Sequence, residues 1–168
     1  MKRFTVLTAA FLAVSAAPAF AAMSDQEFVT KAAISGKYEF QSGLFATTAS
    51  PDSRVKAFAK RMVVDHTDLN ARLNAIAQRE NLAVPYALDT THDDMIHKLE
   101  AAELQSDGHA QQLYVTQQKT AHDATVALFE RYAAEGTNVR LKSFAEAALP
   151  VLREHRRTIT PLAQMAAR

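Results

Sequence analysis

The chain has no cysteine and no tryptophan, and only four glycines and five prolines in 168 residues. The missing thiol excludes disulfide stapling, iron–sulfur clusters, thiolate zinc sites and covalent c-type haem. Any metal must therefore be held by His, Asp or Glu, and stability must come from core packing. Scarce glycine and proline, with abundant alanine and only short β-branched runs, favour helix nearly throughout. Beyond the N-terminal region no stretch is apolar for long enough to span a bilayer. Charge is nearly balanced, with 19 Lys and Arg against 18 Asp and Glu. A basic stripe able to neutralise a phosphate backbone is missing, which argues against nucleic acid as a partner.

What is present begins with an export signal. Lys2 and Arg3 form a basic n-region, an uncharged, mostly apolar run follows from Phe4 to Ala17, and Pro18 precedes the small-x-small triplet Ala19-Phe20-Ala21. These features predict cleavage between Ala21 and Ala22, giving a signal peptide, 1–21, and a mature helical domain, 22–168. The competing reading is an uncleaved membrane anchor, since the uncharged stretch reaches Met23. Removing Lys2 and Arg3 leaves 17 basic residues against 18 acidic, a net charge of −1. The mature chain is expected to be soluble, without a transmembrane segment, and of a size for one core.

Start signals recur along the rest of the chain. Ser24-Asp25-Gln26-Glu27 reads as a capping box, and Ser50-Pro51 as an N-cap followed by a first-turn proline. Thr91-His92-Asp93-Asp94 opens a short helix, Ser106-Asp107 opens a long one, and Gly136-Thr137-Asn138 separates that from the last. The spacing predicts long helices over 25–49, 51–80, 107–135 and 138–165, with a short one over 92–104. The extended connector Asn81 to Thr90 makes this an all-α, four-helix crossover bundle whose long connection carries a short extra helix. Pro150 lies inside the last helix and predicts either a kink or a break at Leu149. Ser35-Gly36 and Ser42-Gly43 repeat on one helix face and predict close approach of a neighbouring helix.

Each long helix carries an apolar seam, and each seam is interrupted once by an ionisable side chain. Phe28, Ala32, Ser35, Glu39, Ser42 and Ala46 form the first, and Val55, Ala59, Met62, His66, Leu69, Leu73 and Ile76 the second. Val115, Gln118, His122, Thr125, Phe129 and Tyr132 form the third, and Leu141, Ala145, Ala148, Leu152, His155, Ile159 and Leu162 the fourth. If the connector returns the chain across the bundle, the second and third long helices run parallel. Glu39, His66, His122 and His155 then spread over only about 8 Å along the axis at the usual helical rise. They are the candidate metal ligands, with Asp65 and Asp123, each beside a seam histidine, as candidate acceptors for ring N–H groups. Such a site would prefer imidazole-binding divalent metals, zinc, copper, nickel or iron, and would weaken as pH falls through the histidine range. The alternative is a purely structural buried network that fixes helix register and binds nothing. His92, His97 and His109, set among Asp and Gln, read as solvated.

The segments VKAFAKRMVVDHTDLNARL, YVTQQKTAHDATVALFERYAAEG and LKSFAEAALPVLREHRRTITPL, with YEFQSGLFA before them, resemble the domain-of-unknown-function 4142 family of exported bacterial proteins. The resemblance implies a ferritin-like bundle and a periplasmic or outer-membrane-associated location. It supplies no activity. Glu39, Asp65, His66, His122 and His155 match the family's typical polar positions, whereas Ala110-Gln111 stands where a Phe-Asp pair is usual. Di-iron ferritins place Glu three residues before His on two helices, but here Val63 and Leu152 precede His66 and His155 at that spacing. The usual carboxylate iron cage is therefore not supported. No nucleophile or recognised catalytic motif is present, so catalytic residues and enzymatic activity stay unassigned. Two functions remain: a metal-binding envelope protein, with redox or hydrolytic chemistry at an open coordination position, and a non-catalytic stress or interaction module. The second would dock an envelope protein partner through exposed Met95, Ile96 and Leu99 on the short helix.

Overall fold

Helix propensity accounts for the regular elements among the described residues, and side-chain caps start all but the helix whose N-cap is Gly108. The computed structural model describes residues 22–105 and 108–166. The expected signal peptide and the Ser106-Asp107 helix start lie outside them. Among the described residues five helices occur: α1 (Asp25–Ala49), α2 (Ser53–Arg79), α3 (Thr90–Glu103), α4 (His109–Glu135) and α5 (Val139–Ala166). None is long and apolar enough to cross a membrane.

The caps show where local chemistry agrees with the sequence expectation and where it differs. Ser24 Oγ accepts the Glu27 N–H at 3.2 Å, as a capping box requires, but the Glu27 carboxylate turns to Lys31 at 2.6 Å. The Ser50-Pro51 cap is corrected by one element. The Ser50 N–H closes α1 on the Ala46 carbonyl and its hydroxyl donates to Gln111, so Asp52 caps α2 by accepting the Arg54 N–H at 2.8 Å. A carboxylate there also suits the positive end of the helix dipole. Asp89, rather than Thr91, caps α3. Asn138 caps α5 by accepting the Arg140 and Leu141 N–H groups at 3.0 and 3.1 Å. Helix α5 continues through Pro150 without dividing at Leu149.

Interhelical contacts define the topology. Helix α1 packs on α2 and α4, helix α5 packs on α4 and α2, and α3 lies against α1 and α4. Asp25 near the start of α1 meets Tyr132 near the end of α4, while Ser50 at the other end of α1 meets Gln111. Those two helices are antiparallel, as are α1 and α2 across their three-residue connection, 50–52. Hence α2 and α4 run parallel, as expected if the connector crosses over. The end of α2 is a Schellman motif: Leu82 N–H bonds the Ala77 carbonyl at 2.9 Å, and Asn81 takes the left-handed conformation at φ 54. Gln26 then grips the connector by donating to the Ala83 carbonyl at 2.8 Å and accepting the Ala83 N–H at 2.9 Å.

Two apolar clusters fill the interior. One gathers Phe28, Leu73, Phe129, Tyr132, Leu141 and Leu152, and the other Val55, Phe58, Met62, Tyr114, Val115 and Ile159. Tyr132 stacks on Phe28 at 3.9 Å between centroids, with Phe129 edge-on at 5.2 Å. Helix α3 shields the second cluster. Leu99 is fully buried there and Ile96 packs against it, which overturns the expected exposed docking patch. Leu99 and Ala102 turn to the core, while Met95 and Ile96 are half-buried.

Small residues on α1 let α2 approach closely. A Cβ built on Gly43 would lie 3.1 Å from Met62 Cβ and 3.2 Å from the Ala59 carbonyl oxygen. Because one of those atoms is backbone, a branched side chain would force the helices apart. Gly43→Val should therefore lower stability by about 1–3 kcal/mol, seen as a reduced midpoint in thermal or urea unfolding. An unchanged midpoint would contradict the tight packing.

Candidate metal centre

The four seam-interrupting side chains meet. On α1 Glu39 falls between Ala33 of one apolar cluster and Ala46 of the other; on α2 His66 falls between Leu69 and Met62. His122 and His155 divide α4 and α5 in the same way, between Val126 and Val115 and between Leu152 and Ile159. The result is a polar layer between two dry halves of the core. All four side chains are buried, none more than 2% exposed.

One nitrogen from each of His66, His122 and His155 lies within 4.8 Å of the others, and this cluster could hold a metal ion. The ring centroids are 6.1, 5.5 and 5.3 Å apart, and Phe58 closes the layer edge-on at 5.9 Å from His122 and 6.4 Å from His155. Glu39 stands beside the triangle, with Oε2 3.1 Å from His66 Nε2 and Oε1 3.5 Å from His122 Nδ1.

The outer hydrogen bonds orient two of the rings. His122 Nδ1 lies 2.9 Å from the Gln118 carbonyl oxygen, which can only accept, so Nδ1 carries the proton and Nε2 is bare. His155 Nε2 lies 2.7 Å from Asp65 Oδ2, so Nε2 donates and Nδ1 is bare. Asp65 is itself held by Arg61 at 3.2 Å. A carboxylate or carbonyl behind a ring, with the opposite nitrogen free, is the arrangement that prepares histidine for a metal. The bare nitrogens, His122 Nε2 and His155 Nδ1, have no hydrogen-bond partner, nor do His66 Nε2 and Glu39 Oε2. Each unpartnered buried polar atom costs about 1–3 kcal/mol, so four in one layer need an explanation.

The expected outer residues differ in fate. Asp65 does support a histidine, but it is His155 on α5 and not its neighbour His66. A helical step of one residue swings it toward the adjoining helix. Asp123 faces out and pairs with Lys119. Among the remaining histidines His97 is 67% exposed between Asp93 and Glu100, and His92 pairs with Asp89 at 2.6 Å. Sequence reasoning missed Thr125 as more than a seam residue; its hydroxyl donates to Glu39 Oε1 at 3.4 Å and meets Ser35 Oγ at 2.6 Å. Ser42 and Gln118, both in the seams, bond across the same interface at 2.9 Å. Gln118 Oε1 and Tyr114 Oη, one and two turns before His122 on α4, are also buried without partners.

Burial decides the charge state of the layer. Loss of hydration pushes the Glu39 carboxyl up to about 8, against which the Thr125 bond is the smaller effect. Desolvation, with the neighbouring histidines, holds His66 well below its ordinary range. Desolvation takes His122 down to about 3, and it lowers His155 despite the opposing pull of Asp65. Glu39 and His66 are therefore a neutral pair near pH 7, and their 3.1 Å approach is off the axis of a hydrogen bond. Burial also moves proton competition at the histidines below the ordinary histidine range and leaves Glu39 as the proton that an arriving cation displaces near neutrality.

A family model described as a domain of unknown function, DUF4142, matches residues 10–162. The chain belongs to this family. The resemblance read from its three helical segments is thus confirmed over nearly the whole sequence. No curated protein and no solved structure matches the chain. The family description assigns no chemistry, so the site has to be read from its own geometry.

The charge states give a pH test on metal-free protein. Folded Glu39 holds its proton up to about 8 while the unfolded group loses it near 4.5. Its stabilising contribution is complete below 4.5 and is lost as pH rises through 8. The depressed histidines act oppositely, adding stability as pH rises through 6.5, where the unfolded rings are half protonated. Between pH 6.5 and 8 the Glu39 limb falls while the tail of the histidine limb still rises, and only the first is removed by Glu39→Gln. Urea unfolding should show wild type losing stability relative to Glu39→Gln across that interval. Equal losses in both would contradict a protonated, buried Glu39.

Proposed function

We propose that this chain is an exported, ferritin-like four-helix-bundle protein of the bacterial periplasm that binds a divalent transition metal in its polar layer. His66 Nε2, His122 Nε2 and His155 Nδ1 supply three ligands and Glu39 Oε2 the fourth. The observation that carries this reading is that one inward-facing atom from each long helix, four in all, is buried without a partner in the same layer. The ring of helices, the parallel α2 and α4 and the connection carrying α3 support the crossover bundle. The basic n-region and Ala19-Phe20-Ala21 support export with the signal peptide 1–21 removed.

Three imidazoles and one carboxylate suit zinc, copper, nickel or iron better than the hard ions magnesium and calcium, which take oxygen ligands. With Glu39 bound all four tetrahedral positions are filled, and the surrounding side chains exclude solvent. Such a closed, buried centre fits metal holding and release better than turnover of a substrate. The three histidines do the binding, Asp65 and the Gln118 carbonyl hold two rings in their binding tautomers, and Glu39 balances part of the cation's charge.

The second reading is a non-catalytic envelope module whose layer only fixes helix register. Tyr38 to Gln117, Gln118 to Ser42, and Ser35 with Thr125 favour it, because these bonds already lock α1 to α4 without any ion. Element analysis separates the two. Mature protein should be purified from the periplasm without chelator or affinity tag, its intact mass placing Ala22 first. It should carry a metal near stoichiometric amount, and His66→Ala and His122→Ala should each lose it while retaining helical circular dichroism. Metal-free wild type whose melting temperature ignores added zinc, copper, nickel and iron would leave the register reading. In that event His66→Leu should stabilise the fold, since a desolvated polar group is replaced by a packed apolar one.

A further inference from the structure

The buried layer raises the question of how an ion reaches it. Two surface grooves share lining residues with the small cavity, of about 10 Å³, that lies against Glu39 and His66. One, of about 410 Å³, runs between α1 and α4 beside the start of α3, and Thr125 lines both it and the small cavity. The other, of about 270 Å³, runs between α1 and α2, and Asn70 is among the residues it shares with the small cavity. The two walls differ chemically. Asn70 offers no hydrogen bond toward Glu39 or His66, whereas Thr125 is part of a continuous run of oxygens.

That run starts at the floor of the larger groove. Ser35 Oγ, part-exposed there, lies 2.6 Å from Thr125 Oγ1, and Thr125 Oγ1 lies 3.4 Å from Glu39 Oε1. Glu39 Oε2, on the far side of the same carboxyl, lies 3.1 Å from His66 Nε2. The two lysine and arginine side chains lining the groove, Lys31 and Arg131, are each engaged by a carboxylate, Glu27 and Glu135. Asp89 and His92 add a carboxylate and an imidazole at the same groove.

Resting on the metal-site reading above, we propose that divalent cations enter through the α1–α4 groove and pass Ser35 and Thr125 to Glu39, with Thr125 as the gate. A partly dehydrated cation needs replacement donors at short intervals, each weak enough to be left behind. Neutral hydroxyls meet that need. They bind the ion less strongly than the imidazoles beyond them, so the final affinity is set by the histidines while the rate of arrival is set by Thr125. Thr125 is a positioning residue here, outside the resident ligand set.

Uptake of cobalt(II) by metal-free mature protein, followed by its ligand-field absorption in stopped flow, tests this. Thr125→Val keeps the shape and removes the oxygen. It should slow uptake by about tenfold, as expected when one hydrogen-bond-strength contact leaves the barrier, with the site still filling at saturating cobalt(II) and the final spectrum retained. Thr125→Ser should restore the rate, a rescue that a general loosening of the fold would not give. Asn70→Leu, which keeps the shape and removes the polar group shared with the other groove, should leave the rate as in wild type. If Thr125→Val binds at the wild-type rate, or if Asn70→Leu is the slow variant, the route is wrong while the metal site stands. If wild type takes up no cobalt(II), the site reading and the route fall together.

Discussion

Taking four ionisable side chains out of water at one level is the constraint on which the rest of this structure depends. Hydration lost by Glu39 and the three histidines has to be compensated within the layer, and here it is compensated only in part. Burial removes their charges, which avoids the largest cost. Asp65 and the Gln118 carbonyl then take up one N–H each from His155 and His122. What remains is a set of buried polar atoms without partners in one layer, which a cation would stabilise and packing alone does not.

The two apolar clusters work on behalf of this layer. Phe28, Phe129 and Tyr132 on one side and Phe58, Met62 and Tyr114 on the other hold the helices at fixed separation. The glycine at position 43 lets α1 sit close enough to α2 for Glu39 to approach His66. Interhelical bonds from Ser35, Tyr38 and Ser42 set the height of α1 against α4. Register is over-determined on that face, which keeps the four side chains in one layer.

Much of this was legible because helical periodicity is a strong signal. All four seams face inward as their spacing required, and the four ionisable interruptions share a layer because helix rise is nearly constant. The remainder depended on tertiary facts that periodicity does not encode. Whether a residue one step off the seam turns toward a neighbouring helix or into solvent depends on which helix adjoins it, so Asp65 reached His155 while Asp123 went to Lys119. Ser50 looked like a cap, but Gln111, distant in sequence, claimed its hydroxyl. Leu99 looked exposed on a short, mostly polar helix, yet α3 turns that side to the core. Thr125 was visible as a seam position; its place between groove and layer was not.

The most direct test is anomalous scattering from crystals of zinc-loaded mature protein, collected on both sides of the zinc absorption edge. One difference peak is expected between the four long helices, about 2.0–2.2 Å from His66 Nε2, His122 Nε2, His155 Nδ1 and Glu39 Oε2. A peak confined to surface groups such as His97 and Asp93, with the layer empty at saturating zinc, would contradict the account.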